Sequence, residues 1–253
     1  MQSNLPNPLV WDETVKLGTS EVVHLSQMSW PRFLIEPSDI PDPMLNFKIS
    51  PEDFAKKFLI WGIRDSVSKK LVAFIHAIQI EIDFSSQNLP DLGWRYAVSN
   101  GGKPTPKNSL CLIEASVHPD YRKLGLAKVL LERSKAEARK RGLVKLVAPV
   151  RPISKADSPE ESIESFLKKT ASTGEVLDPW LRTHVASGGQ IANICHQSVC
   201  IHASLEKWRE WTGLPMNHTG TCVIPDALNP IEISLADNIG VYVEPNVWVT
   251  YDL

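Results

Sequence analysis

No apolar run in this chain approaches the roughly 18 residues that a membrane-crossing helix needs; the longest are strand-sized. A helical span is therefore not expected. The opening Met1-Gln2-Ser3-Asn4-Leu5-Pro6-Asn7-Pro8 has no basic start followed by an apolar segment, so no secretory signal is expected either. Cysteines are few. Cys111, Cys195, Cys200 and Cys222 lie in apolar contexts without the spacing of a disulfide scaffold, which predicts a reducing, cytoplasmic compartment. There is no surplus of positive charge: 27 Lys and Arg stand against 29 Asp and Glu, so nothing drives non-specific binding to nucleic acid. The Gly-x4-Gly-Lys phosphate loop, the Gly-x-Ser-x-Gly nucleophile elbow and the Gly-x-Gly-x-x-Gly dinucleotide turn are all absent.

What is present is ordinary globular material, 43% hydrophobic and 22% charged over 253 residues, with no visible linker or repeat. One domain over residues 1–253 with a buried core is expected. Glu21–Leu34 is apolar at helical intervals and broken by Pro31. Ser50-Pro51-Glu52-Asp53 has the order of a helix start: a capping serine, a first-position proline, then acids. Phe58–Ile63 and Leu71–Ile82, rich in β-branched and aromatic residues, predict an antiparallel hairpin across the polar turn Arg64–Lys70. Ser85–Asn108 reads as a long loop with a short helix near Trp94, a length usual for loops that serve a site. Further helices are predicted at Pro159–Lys169, from Asp178-Pro179 to Gly188-Gly189, and at Ser204–Trp211. Strands are predicted at Gln190–His202 and through most of Thr221–Leu253. The fold class is α/β, a mixed and mostly antiparallel sheet with helices on both faces, extended by long loops and C-terminal strands.

The informative stretch is a strand, Leu110–Val117, a polar turn, His118–Leu124, a helix, Gly125–Arg141, and a second apolar strand, Leu143–Val150. Leu126, Leu130 and Ala138 share one face of the helix while Lys128, Glu132, Lys135, Arg139 and Lys140 point away. Its start carries no acidic cap. It has Arg122 and Lys123, then Gly125 and Ala127. The first turn of a helix leaves N–H groups unsatisfied and partly positive, and small residues let a bulky anion come close. A diphosphate suits such a mouth; the alternative is a tight turn with solvated cations.

Arg122-x-x-Gly125-x-Ala127, preceded by Val117-His118-Pro119-Asp120-Tyr121, resembles the Arg/Gln-x-x-Gly-x-Gly/Ala signature of the GNAT N-acetyltransferase superfamily, with the close match over residues 110–150. The resemblance implies a sheet splayed beside this turn, with acetyl-CoA or another acyl-CoA as co-substrate. Its pantetheine arm would run along the backbone of Ala115, Ser116 and Val117. Its diphosphate would sit on the amides of Lys123, Leu124, Gly125, Leu126 and Ala127, beside Arg122.

Direct acyl transfer needs a base for the amine, a donor for the oxyanion and an acid for the thiolate. Glu114, in an apolar strand where a raised pKa is expected, is one candidate base; the family resemblance implies a working glutamate on this strand, and the alternative is a carboxylate facing solvent. His184, in the helix opened by Asp178-Pro179, is the other, by virtue of a pKa near neutrality. The segment from Asp178 also resembles GNAT-like loading domains of polyketide assembly lines, in which a histidine of this helix and a threonine on the fifth strand serve decarboxylation. His184 matches the histidine, and Val150 stands where the threonine would be. His196, Cys200 and His202 alternate onto one strand face with zinc-compatible side chains, but without a close knuckle pair, so no metal is expected. Trp208, Trp211, Tyr242 and Trp248 are expected in the core, the alternative for Tyr242 and Trp248 being to line an acyl or acceptor pocket. The expected reaction moves an acyl group, in the first instance acetyl, from CoA to an amine of a small molecule or peptide. The rivals are S-acyl transfer to an acyl carrier protein and a silent acyl-CoA-binding module.

Overall fold

A computed structural model of the chain describes residues 5–43, 45, 56–101, 103–172 and 174–253. The expected helix start at Ser50–Asp53 lies outside the described residues. Nine strands form one sheet in the order β1-β2-β3-β4-β5-β9-β8-β7, with β6 paired along β9. They are β1 (Leu9–Asp12), β2 (Phe58–Asp65), β3 (Leu71–Ile80), β4 (Ser109–Val117), β5 (Lys145–Val150), β6 (Gln190–Ser204), β7 (Gly220–Cys222), β8 (Ile231–Ser234) and β9 (Ile239–Asp252). Among the described residues only β4 and β5 run parallel; every other strand pair is antiparallel, including the β2–β3 hairpin read from the sequence.

Helices cover both faces. On one, α4 (Leu126–Lys140), α5 (Ile163–Leu167) and α6 (Pro179–Ala186) bury Leu126, Leu130, Phe166 and Leu181 against Ala73, Ile75, Leu110, Leu112, Leu146 and Val249. On the other, α1 (Ser20–Gln27) packs Val22 and Leu25 on Phe74. There α2 (Arg32–Ile35) and α7 (Leu205–Thr212) meet Tyr242, and α3 (Gly93–Gly101) places Ala97 near Ile78, Cys111 and Trp248. Trp208, Trp211, Tyr242 and Trp248 are core residues, as expected.

Local chemistry sets several boundaries. Asp178 caps α6 by accepting from the amides of Trp180 and Leu181 at 2.9 and 2.8 Å, and Ser204 caps α7 through the Lys207 amide at 3.1 Å. The predicted helix Pro159–Lys169 is shorter, Ile163–Leu167. The fully buried Lys155 ammonium claims the carbonyls of Ser158 (3.1 Å), Pro159 (3.2 Å) and Leu228 (2.6 Å), and the chain turns helical only after Ser162, whose hydroxyl caps the Ser165 amide. The strand face expected to unite His196, Cys200 and His202 is broken. The β6–β9 register shifts between Cys195 and Val199, and His196 turns outward to Asp91 and Glu164 at 3.0 and 2.8 Å. Cys200 and His202 alone stay together, Sγ to Nδ1 3.9 Å.

Candidate active site

Two breaks in the sheet build the site. The first is a parting of strands. β4 and β5 pair only through Ser109–Cys111 and Lys145–Val147. Beyond Cys111, the edge of β4 that faced β5 carries no partner strand among the described residues, while β3 still holds the other edge and β9 still holds β5 as far as Val150. A wedge opens from Leu112 and Ala148 onward, and the free edge includes Ala115, Ser116 and Val117.

The second break is a bulge. His76 pairs with Glu114 but Ala77 pairs with Leu112, so Ile113 is the extra residue. Strict alternation from Leu110 and Leu112 would send Glu114 toward α4. The bulge inverts the alternation: Ala115 and Val117 pack toward α4, and Glu114 and Ser116 turn to the opposite face. That face holds a cavity of about 700 Å³ between α1, α2 and the strands β3, β4, β6 and β9. Ser26, Trp30, His76, Glu114, Arg151 and Glu244 are among its lining.

Glu114 is tightly held. Ser26 Oγ and Ser116 Oγ both donate to Oε1, at 2.6 and 2.7 Å, and His76 Nε2 lies 3.1 Å from Oε2. Trp30 Nε1 donates to Ser116 Oγ at 3.1 Å and so braces the second hydroxyl. Burial pushes the Glu114 pKa up, as its apolar strand suggested, but the hydrogen bond and charge attraction of the His76 ring, together with the Ser26 and Ser116 hydroxyls, outweigh burial and the net displacement is below the ordinary value. The raised pKa expected from the sequence is thus not found, because two of the three donors, His76 on β3 and Ser26 on α1, are distant in the chain.

Across the wedge, Arg151 Nε donates to Glu244 Oε2 at 2.9 Å, and both side chains are almost wholly buried. Tyr242 Oη donates to the same carboxylate at 2.6 Å and Asn246 Nδ2 at 3.1 Å. Behind the cavity, Arg95 grips Asp42 with two bonds of 2.7 and 2.6 Å, and Arg32 grips Glu36 with bonds of 2.7 and 3.1 Å. Of the four carboxylates lining the cavity, Glu114 alone has no guanidinium beside it among the described residues.

At the mouth of the wedge, a 3₁₀ turn, Pro119–Tyr121, is anchored by the Tyr121 hydroxyl, which donates to Asp65 Oδ2 at 2.8 Å. Two left-handed residues follow, Lys123 at φ 67° and Gly125 at φ 74°, ψ 10°. Gly125 opens α4 without a side-chain cap, no acid stands in the first turn, and the first bond closing the helix runs from the Val129 amide to the Gly125 carbonyl at 3.2 Å. The N–H groups of Leu126, Ala127 and Lys128 lie ahead of that bond, and Leu124 is half exposed. Left-handed turns of this kind point successive amides to one side, the geometry of an anion nest.

His184 lies elsewhere. It is buried on the α4 face, its Nδ1 2.7 Å from Tyr251 Oη and its ring 4.4 Å from that of Trp180, and Nε2 has no partner. Burial lowers its pKa to about 3. Tyr251 pairs with Leu146, on the closed side of the wedge, whereas Glu114 lies beyond its opening. His184 is not among the residues lining the cavity. The structure therefore unites Glu114 with the free strand edge and separates His184 from them. Sequence reasoning missed His76, Ser26, Trp30 and Arg151. The one available signal was an imidazole set in the apolar run Ala73-Phe74-Ile75-His76-Ala77-Ile78.

Among the described residues there is no cluster of three or more potential metal ligands, and no helix is long and apolar enough to cross a membrane. Residues 23–156 match the model of the acetyltransferase (GNAT) family. The chain is 30% identical over 190 residues to an arginine N-acetyltransferase, avaD, of Aspergillus versicolor, the alignment covering 66% of each chain. Among solved structures, it is similar to the loading GNATL domain of CurA from Lyngbya majuscula, with TM-score 0.60, 14% identity, and 97% and 98% of the two chains covered. It is also similar to the GphF GNAT-like decarboxylase, solved with isobutyryl-CoA, with TM-score 0.57, 17% identity, and 96% and 98% covered. The parted strands and uncapped helix mouth thus agree with the family match, and the chain belongs to the GNAT family, as an acyltransferase of a kind that draws its acyl group from acyl-CoA.

Proposed function

We propose that the chain transfers an acyl group, in the first instance acetyl, from acyl-CoA to an aliphatic amine of a small molecule or peptide, by direct attack within a ternary complex. The observation that carries this reading is the bulge at Ile113, which turns the Glu114 carboxylate into the cavity at the opening of the wedge. The amides of Lys123–Ala127, with the cations of Arg122 and Lys123, offer the diphosphate a seat. The free edge of Ala115–Val117 offers the pantetheine arm backbone partners.

An amine enters the cavity as an ammonium, drawn to Glu114, which among the described lining carboxylates has no arginine counter-ion. Glu114 takes its proton, and the lone pair attacks the thioester carbon. Strand amides left open by the wedge stand ready to donate to the oxyanion. The tetrahedral adduct collapses as the carbon–sulfur bond breaks; the sulfur takes up the proton that the attacking nitrogen still has to lose and departs as the free CoA thiol, while Glu114 returns its own proton to solvent. No covalent acyl-enzyme is needed, and a cavity of about 700 Å³ suits a small acceptor. The likeness to an arginine N-acetyltransferase supports an amine acceptor of this size. Glu114 is the base in this reading, and His184, sealed against Tyr251, is a structural residue.

The test is release of free thiol from acetyl-CoA. Steady release with small aliphatic amines, each consumed one for one, is the expected result. Release only in the presence of a carrier-protein thiol, or tight CoA binding without turnover across a broad amine panel, would overturn the proposal.

A further inference from the structure

The partners of Glu114 differ in kind. Oε1 takes two hydroxyls, from Ser26 and Ser116, and Oε2 takes the His76 ring. His76 is 8% exposed, and its other nitrogen, Nδ1, is buried without a partner. The ring sits among aromatics, with its centroid 5.3 Å from that of Phe58 and 6.2 Å from that of Phe74. In such a place a bare lone pair costs less than an N–H with nothing to receive it. The hydrogen of a neutral ring therefore belongs on Nε2, which donates to Glu114. A second proton, on Nδ1, would be buried with no acceptor.

Resting on the reading that Glu114 takes the amine's proton, we propose that His76 is a positioning residue, a donor that aims the Glu114 carboxylate into the cavity and keeps it ionised until the ammonium arrives, without itself receiving the amine's proton. The hydroxyls alone do not do this, since both bind the same oxygen and leave the carboxylate free to swing about it. The imidazole bond to Oε2 fixes the plane. Among the described residues, the other ionisable groups lining the cavity are Arg151 at the end of β5, Cys200 and His202 on β6, Glu244 on β9, and Glu36 and Asp42 from the segment after α2. From α1, which packs directly over Glu114, the lining residues Val22, Val23, Ser26 and Gln27 bring no charge. Among the described residues, His76 is thus the titratable group in direct contact with the carboxylate.

The experiment is the pH profile of kcat/KM, whose acidic limb reports the ionisation of the base in the free enzyme. Removing a donor to the charged form raises a carboxyl pKa, so the limb must move to higher pH. His76→Leu is expected to shift it upward by about one unit, which is roughly a tenfold loss of kcat/KM at a pH on the limb. His76→Gln, whose amide nitrogen stands near the place of Nε2, is expected to hold the limb close to the wild-type position. Should His76→Leu fail to fold, His76→Asn, whose shorter amide stops short of the carboxylate, takes its place with the same expected shift. A limb unmoved in His76→Leu, with only the plateau lowered, would mean a packing role and overturn the inference. A limb that disappears in His76→Gln would mean that the imidazole itself titrates, and would overturn it equally. Glu114→Gln separates the two readings: retention of full kcat/KM and of the limb there would bring down the base assignment as well, whereas loss of the limb in Glu114→Gln beside an unmoved limb in His76→Leu would bring down only the role of His76.

Discussion

Gly125 offers a way to weaken cofactor binding without weakening the fold. It sits at φ 74° with open space around the position a Cβ would take, so a side chain there meets strain but no clash. Alanine at a left-handed position costs about 1–2 kcal/mol, equally in the free and bound states, and should lower stability while leaving CoA affinity within a few-fold. Asparagine and aspartate tolerate this backbone better. Gly125→Asp adds a carboxylate at the helix mouth, where it competes for the same amides. Losing one charge-assisted bond removes roughly 1.5–3 kcal/mol of binding. At about 5 Å in water, each pair of like unit charges adds about 0.8 kcal/mol of repulsion, and a diphosphate brings two. Together these predict at least about a 100-fold rise in the dissociation constant. Calorimetric titration with CoA of Gly125→Ala, Gly125→Asn and Gly125→Asp, beside melting curves of each, makes the comparison. Equal affinity of Gly125→Asp and Gly125→Asn would refute the placement of the diphosphate.

Two further outcomes follow from buried groups. His184, pushed to about 3 by burial, stays neutral in the fold while the unfolded chain gains its proton near 6.5. Stability from this residue is therefore complete above that pH and is lost as pH falls, by about 1.4 kcal/mol per unit toward pH 4. Urea midpoints of His184→Gln should fall less steeply over this window than those of the wild type, and parallel curves would contradict the assignment of a buried neutral ring. Arg151→Met should cost about 3–5 kcal/mol by stranding the Glu244 carboxylate, which is 1% exposed. In a chain of this size that is a drop of roughly 10 °C in Tm. Arg151→Met/Glu244→Gln should regain most of it, and equal melting of the single and double variants would show that the ion pair is not what holds this wall.

The helix mouth was legible in the sequence because its chemistry is local: a basic turn, a glycine and an uncapped amphipathic helix occupy adjacent positions, and backbone amides need no distant partner to bind an anion. The helix running from Asp178-Pro179 to Gly188-Gly189, the helix from Ser204 and the β2–β3 hairpin were legible for the same reason. The surroundings of Glu114 were not. Its orientation depends on one bulged residue, Ile113, which alternation of apolar positions cannot reveal, and two of its three donors, His76 and Ser26, lie 38 and 88 positions away. The lowered pKa follows from those distant donors, so a reading of the apolar strand alone gives the wrong sign. His184 shows the converse. A histidine in the last turn of a glycine-terminated helix has suitable chemistry in sequence, but strand register puts its Tyr251 partner opposite Leu146, where the sheet is still closed. The broken face of His196, Cys200 and His202 likewise turns on a register shift in β6.

The most direct test of the account is a crystal structure of the protein with a non-hydrolysable acyl-CoA analogue. The account predicts the diphosphate within hydrogen-bonding distance of the amides of Lys123–Ala127 and the acyl carbonyl between β4 and β5, with the Glu114 carboxylate, not the His184 ring, facing the carbon that the amine attacks. An analogue bound with its diphosphate away from that helix mouth, or with its carbonyl beside Tyr251 and His184, would contradict it.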